Sequence, residues 1–94
     1  MPIETLPWDA ADYLKSPEDE LAYLEAAVED GDPRLVAAAL GDIARARGMS
    51  QIAKEAGLAR PALYRALSED SDPRLSTLLG VAKALGLKLS FRAA

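Results

Sequence analysis

The chain has 94 residues, 11 Lys and Arg against 15 Asp and Glu, and a net charge of −4, with a sequence pI near 4.7. Half of it is hydrophobic, enough for the core of one small domain, and a domain of this size gains from a partner because it buries only a modest share of its own surface. It contains no cysteine and no histidine, which excludes disulfides, thiolate metal sites and imidazole general bases.

The opening "MPIETLPWDAADYLK" has no basic start followed by an apolar run, and no apolar segment approaches the ~20 residues that span a bilayer. The expectation is a soluble cytoplasmic protein with no membrane role. The charge is divided along the chain. Residues 1–33 hold one base (Lys15) and ten acids, a net −9, whereas residues 34–94 hold ten bases and five acids, a net +5. Such a split suggests two partners of opposite sign; the alternative is ordinary charged helix surfaces. It also suggests an acidic N-terminal extension over 1–33, packed on the same domain as 34–94.

Three helix starts share one grammar. Ser16, Asp32 and Asp72 are placed as N-caps, each followed by a proline (Pro17, Pro33, Pro73) whose fixed φ suits the first turn. The first helix runs to about Asp30, with Leu21, Leu24 and Val28 in a row. The second runs from about Pro33 to Arg47, its rows Leu35, Ala39, Ile43 and Val36, Leu40, Ala44 forming a wide apolar stripe. Upstream, Asp9 is a candidate cap for a short helix holding Tyr13 and Leu14, and Trp8 reads either as a hydrophobic staple or as part of a docking surface.

The next segment, "SQIAKEAGLARPALYRAL" from Ser50 to Leu67, has the spacing of a helix-turn-helix. Gly57 suits the positive φ of a tight turn, Ala53 is small enough for a close crossing, and Ile52, Ala56, Leu58, Leu63 and Ala66 are apolar where two helices would touch. At 100° per residue, Arg60, Pro61, Tyr64, Arg65 and Ser68 fall within an arc of about 140° that holds no acid. Arginine donates bidentately to guanine, and tyrosine and serine contact bases or phosphates. Ser50, Gln51 and Lys54, near the start of the first short helix, are placed for phosphate. The alternative is a helical hairpin whose charged face is merely solvated.

After the polar turn "EDSDP", a helix is predicted from about Pro73 to Leu85, with Leu75, Leu78, Leu79, Ala82 and Leu85 inward and Gly86 as its stop. The tail "LKLSFR" alternates Leu87, Leu89 and Phe91 with Lys88, Ser90 and Arg92, a strand pattern. Either this strand pairs with a second copy across a two-fold axis, making Leu87, Leu89 and Phe91 dimerisation residues, or it is a tail packed on the core. The fold class expected is all-α: a small helical bundle with an N-terminal helical extension and a short C-terminal strand. No enzyme is expected, because the carboxylates cluster on helix starts and one acidic face, without a nucleophile, an imidazole or a glycine-rich phosphate loop beside them. No cofactor and no metal are expected.

The blocks "LPWDAADYL", "AAALGDIARARGMSQIAKEAGL" and "ALGLKL" resemble the addiction-module antidote family, the HigA-like antitoxins with a phage-repressor type helix-turn-helix. The likeness runs from about Leu6 to Leu89. It implies the antitoxin of a type II toxin–antitoxin module that neutralises a RelE/ParE-like toxin by direct binding and, as a homodimer, binds operator DNA to repress its own operon. By position, Gln51, Arg60, Ala62, Tyr64 and Arg65 match the family's DNA-facing places. Ala59 stands where such motifs often carry a capping serine, so a weaker cap is expected on the second short helix. RelE/ParE-like toxins are generally basic, which suits the acidic third, and its aromatics and acids Trp8, Asp12, Tyr13, Glu20 and Tyr23 are the candidate toxin contacts. The rival readings are a stand-alone phage-type repressor without a toxin and a helix-turn-helix used for protein interaction.

Overall fold

The computed structural model describes residues 14–68 and 70–94, which form five helices and no strand. They are α1 (Pro17–Asp30), α2 (Pro33–Arg47), α3 (Met49–Ala56), α4 (Arg60–Ala66) and α5 (Leu75–Ala84). Helix α1 packs on α2, and α3 packs on α2, α4 and α5. The predicted Asp9 cap falls outside the described residues, as do Trp8, Asp12 and Tyr13. Leu14, the first described residue, is buried in the core.

The first two helix starts follow their local chemistry. Ser16 Oγ accepts the Asp19 N–H at 3.1 Å, and the Asp32 carboxylate accepts the Arg34 N–H at 2.9 Å, so each cap satisfies a backbone donor that the helix itself cannot. That backbone hydrogen bond, with help from the Arg34 side chain, holds the Asp32 carboxyl below its usual range. The third copy of the grammar behaves differently. Helix α5 begins at Leu75 with Arg74 as its cap residue and no side-chain cap bond; its first turn closes where the Leu78 N–H reaches the Arg74 carbonyl. Asp72 and Pro73 therefore precede the helix and do not start it.

The core is built from Leu14, Leu40, Ile43, Ala44, Met49, Ile52, Ala53, Leu63, Leu67, Val81 and Leu85. On α2 the predicted stripe is buried at Ala39, Leu40, Ile43 and Ala44, while Leu35 at its start stays 42% exposed. On α5 the inward face is turned from the expected one. Val81 and Leu85 are buried, whereas Leu75 and Leu79 are 61% and 45% exposed. The helix is apolar around most of its circumference, so the face it buries is chosen by α3, against which it packs. On α1 the row Leu21, Leu24, Val28 is likewise left half open, with Leu21 and Val28 at 43% and 55%.

The expected C-terminal strand is absent. Residues 87–94 carry no regular structure, and Phe91 is 91% exposed. A strand is defined by its ladder, and the described residues offer this segment no partner. Only Leu87 is anchored, by its N–H to the Ala82 carbonyl at 2.8 Å, as Gly86 ends α5.

Two glycines with no positive φ distinguish close approach from ordinary contact. A Cβ at Gly41, in α2, would lie 2.7 Å from the Leu67 carbonyl oxygen, whereas one at Gly80, in α5, would lie 3.5 Å from the Ala56 carbonyl oxygen. Alanine favours a helix interior over glycine by about 0.8–1.0 kcal/mol, and overpacking against backbone costs about 1–3 kcal/mol. Gly41→Ala is therefore expected to lower the unfolding free energy by up to roughly 2 kcal/mol, and Gly80→Ala to raise it by up to ~1 kcal/mol. Urea denaturation of the two variants checks the opposite signs; equal shifts would contradict the close approach of α2 to the end of α4.

Candidate nucleic-acid interface

The α3–turn–α4 unit is locked from within. Gly57 takes φ 75°, ψ 29°, the left-handed conformation that only glycine adopts without strain. This lets the Gly57 N–H reach the Lys54 carbonyl (3.2 Å) and the Leu58 N–H reach the Ala53 carbonyl (2.9 Å), closing α3 and reversing the chain. Ile52, Ala53 and Leu63 are buried between the two helices and the core, with Ala56, Leu58 and Ala66 half-buried beside them. Helix α4 begins at Arg60, with Ala59 as a cap residue whose side chain makes no cap bond, and Pro61 pre-sets φ in the first turn.

Burial of Leu63 and Leu67 turns the other side of α4 outward. Arg60, Pro61, Tyr64 and Arg65 are exposed, and Ala62 is half-buried at the edge of the same face. Across the turn, Ser50, Gln51 and Lys54 of α3 are also exposed. Arg60 joins the two helices. Its guanidinium donates to Ser50 Oγ at 3.2 Å and to Tyr64 Oη at 3.3 Å, and it lies 5.5 Å from the centre of the Tyr64 ring. A guanidinium stacked on a phenol keeps its remaining edge free to donate in the ring plane. Gln51 Nε2 donates to Glu55 Oε2 at 2.7 Å along α3.

Ser68 lies past the end of the helix that defines the arc. Helix α4 ends at Ala66, and the exposed Ser68 donates its hydroxyl back to the Arg65 carbonyl at 3.2 Å. The 100° step that placed it on the reading face does not apply beyond the last turn. Ser68 satisfies a helix-end carbonyl.

Two side chains proposed for a toxin are tied to α2. The carboxylate of Glu20 is buried, and Arg47 donates to it through Nε at 3.0 and 3.2 Å and through Nη2 at 2.5 Å. The bond to Glu20 raises the already high Arg47 pKa further. Tyr23 Oη donates to Asp42 Oδ2 at 2.5 Å, and Arg45 pairs with the same carboxylate. Neither lock was visible in the sequence. Glu20 and Arg47 are 27 positions apart and Tyr23 and Asp42 are 19 apart, and no local period links either pair.

Burial, with the hydrogen bond to Asp42 next, pushes the Tyr23 phenol up to about 12 from 10.0. The folded chain keeps this proton where the unfolded chain has lost it. The contribution is thus present below pH 10, declines above it and is gone above pH 12. An absorbance titration of tyrosinate is expected to show a late component near pH 12 that Tyr23→Phe removes; an unchanged curve in the variant would refute the assignment.

Among the described residues, no group of three or more acidic, histidine or cysteine side chains is placed to hold a metal, and no helix is long and apolar enough to cross a membrane. What the described residues define is a small helical domain in which two short helices, joined by a glycine turn, present a basic, aromatic face.

The chain belongs to the family described as "Probable addiction module antidote protein", which matches residues 4–93. It is similar to a protein of Haemophilus influenzae described as uncharacterized, 46% identical over 81 residues that cover 86% of this chain and 84% of the relative. No solved structure gives a significant match.

Proposed function

We propose that the chain is the antitoxin of a type II toxin–antitoxin module, a HigA-like protein that neutralises a RelE/ParE-like toxin by direct binding. As a homodimer it binds operator DNA through the α3–turn–α4 unit, a phage-repressor type helix-turn-helix, and represses its own operon. It acts in the cytoplasm and not as an enzyme. Family membership supports the antidote role and a toxin partner in general.

The observation that carries the DNA reading is the outward face of α4. It holds Arg60, Tyr64 and Arg65 and no acid, in a chain of net charge −4. Helix α4 enters the major groove, with Arg60 and Arg65 directed at base edges and Tyr64, Pro61 and Ala62 packed beside them. Ser50, Gln51 and Lys54 hold the phosphate backbone, and Ser68 serves the end of the helix. Residues 34–94 form the DNA-facing part and residues 1–33 the toxin-facing extension. Opposite charge favours the basic toxin there, with Trp8, Asp12 and Tyr13 as contacts. Glu20 and Tyr23 serve the same surface by fastening α1 to α2.

The test is co-expression with the adjacent reading frame, followed by purification and a gel shift on the DNA upstream of the operon at several salt concentrations. A small basic protein is expected to co-purify, and affinity for the upstream duplex is expected to fall steeply with salt. No salt-dependent affinity for any duplex would sink the DNA reading, and a free antitoxin after co-expression would sink the toxin reading.

A further inference from the structure

Between Asp42 and Glu69 the chain carries five bases and a single acid, Glu55. That acid sits in the α3–turn–α4 unit itself. Helix α3 buries Met49, Ile52 and Ala53, which leaves Ser50, Gln51, Lys54 and Glu55 exposed in two neighbouring rows. The Ser50–Lys54 row is tied to α4, because Arg60 donates to Ser50 Oγ at 3.2 Å. The Gln51–Glu55 row is tied to itself, Gln51 Nε2 donating to Glu55 Oε2 at 2.7 Å. A solvated carboxylate on such a face weakens binding to every duplex alike. This is a pure cost unless the carboxylate orders a group that favours one duplex over the rest.

Two interactions act on Glu55. The first orders its neighbour. A carboxylate only accepts, so the amide nitrogen of Gln51, and not its oxygen, faces Glu55. One amide hydrogen is thereby engaged, and the other is the only donor Gln51 has left, its direction set by the bond. The second interaction is electrostatic and comes from Arg47, at the end of α2. The buried Glu20 carboxylate holds Arg47 through Nε at 3.0 Å and Nη2 at 2.5 Å, and after Glu20 the field of Glu55 also raises the Arg47 pKa. Arg47 forms no ion pair with Glu55 among the described residues. Glu55 is thus attracted toward the end of α2 without being taken from Gln51.

We propose that Glu55 is a positioning residue of the DNA face, ordering the Gln51 amide so that its remaining N–H meets a phosphate only when the duplex lies in the operator register. The inference rests on the DNA reading above and adds to it a residue that turns a phosphate contact into selectivity. An unordered amide offers its nitrogen to a phosphate in many placements of the duplex. An ordered one suits a single placement, and elsewhere the Glu55 charge goes uncompensated. Phosphate contacts fix register in this way without reading a base.

The test is a double-mutant cycle read by gel shift on two duplexes of equal length, the DNA upstream of the operon and a random sequence. Glu55→Ala removes the charge and the ordering at an exposed helical position, where alanine keeps the helix. It is expected to tighten the random duplex severalfold and to leave the upstream duplex no tighter, so that preference for the upstream sequence falls about fivefold. Gln51→Ala is expected to lower the preference by a similar factor. Adding Glu55→Ala to it is expected to tighten both duplexes alike, with no further loss of preference. If Glu55→Ala alone tightens both duplexes by one factor, Glu55 is an ordinary surface acid and the proposal is overturned. An equal loss of preference with and without Gln51 overturns it too, since Glu55 would then act without the amide. Salt-dependent binding with an unmoved preference removes this inference alone, whereas a wild-type chain with no salt-dependent affinity for either duplex removes the DNA reading as well.

Discussion

Replacing Arg60 and Arg65 together by alanine is expected to abolish high-affinity operator binding while leaving the fold intact. An arginine that reads guanine is worth about 1–3 kcal/mol. The two differ in what they give up to do so. Arg60 already bonds Ser50 and Tyr64, and these two charge-assisted hydrogen bonds are exchanged when it turns to a base. Arg60→Ala alone therefore belongs at the lower end of the range and Arg65→Ala at the upper end. The double variant is expected to lose about a hundredfold to a thousandfold in a gel-shift titration. Both side chains are exposed, so stability should move by no more than about 0.5 kcal/mol. Salt separates the two kinds of contact. A residue reading bases relaxes specificity at one position and keeps the salt slope, whereas one holding phosphate lowers the slope by about 1. Undiminished affinity of the double variant would show that α4 does not face the duplex.

What the sequence made legible was local. Ser16 and Asp32 announce their helices because a cap and a following proline act within one turn. Gly57 announces the turn because its conformation is its own. The acid-free face of α4 was legible for the same reason, as far as the helix lasts; Ser68 lies beyond Ala66, where the helical period no longer fixes its direction. The parts that failed depend on distant partners. Asp72 and Pro73 have the same letters as Asp32 and Pro33, yet the start of α5 lies beyond them. Val81 was missed because an apolar helix has several candidate faces, and only α3 decides between them. The clamp of α1 on α2 needed a buried glutamate, a type of residue that sequence patterns place on the surface, and only the end of α2 brings Arg47 to it. The bridge from Arg60 to Ser50 crosses the turn, so its two ends were assigned separately to base and phosphate before the geometry joined them.

Leu63→Ala is expected to have the largest effect on stability of any change to α4. Leu63 is 0% exposed, and its removal leaves a cavity beneath a helix of seven residues with no side-chain cap. So short a helix has little stability of its own and is held by its buried side chains. Burying the carboxy-terminal Leu67 and the half-buried Ala66 cannot compensate, since both lie on the turn after Leu63. Truncating a buried leucine costs about 2–5 kcal/mol, against a total of about 5–15 kcal/mol for a domain. In a chain this small the melting temperature is expected to fall by about 10 °C or more. The adjacent Tyr64 gives the contrast. It is 41% exposed and is bonded and stacked by the exposed Arg60, so Tyr64→Ala should change the melting temperature far less and weaken DNA binding instead. Thermal melts and gel shifts of both variants, each on freshly folded protein below its melting point, separate the two roles. The reverse pattern, a stable Leu63→Ala and an unfolded Tyr64→Ala, would mean that α4 is seated on the core by its other face and that Arg60 and Arg65 do not point outward.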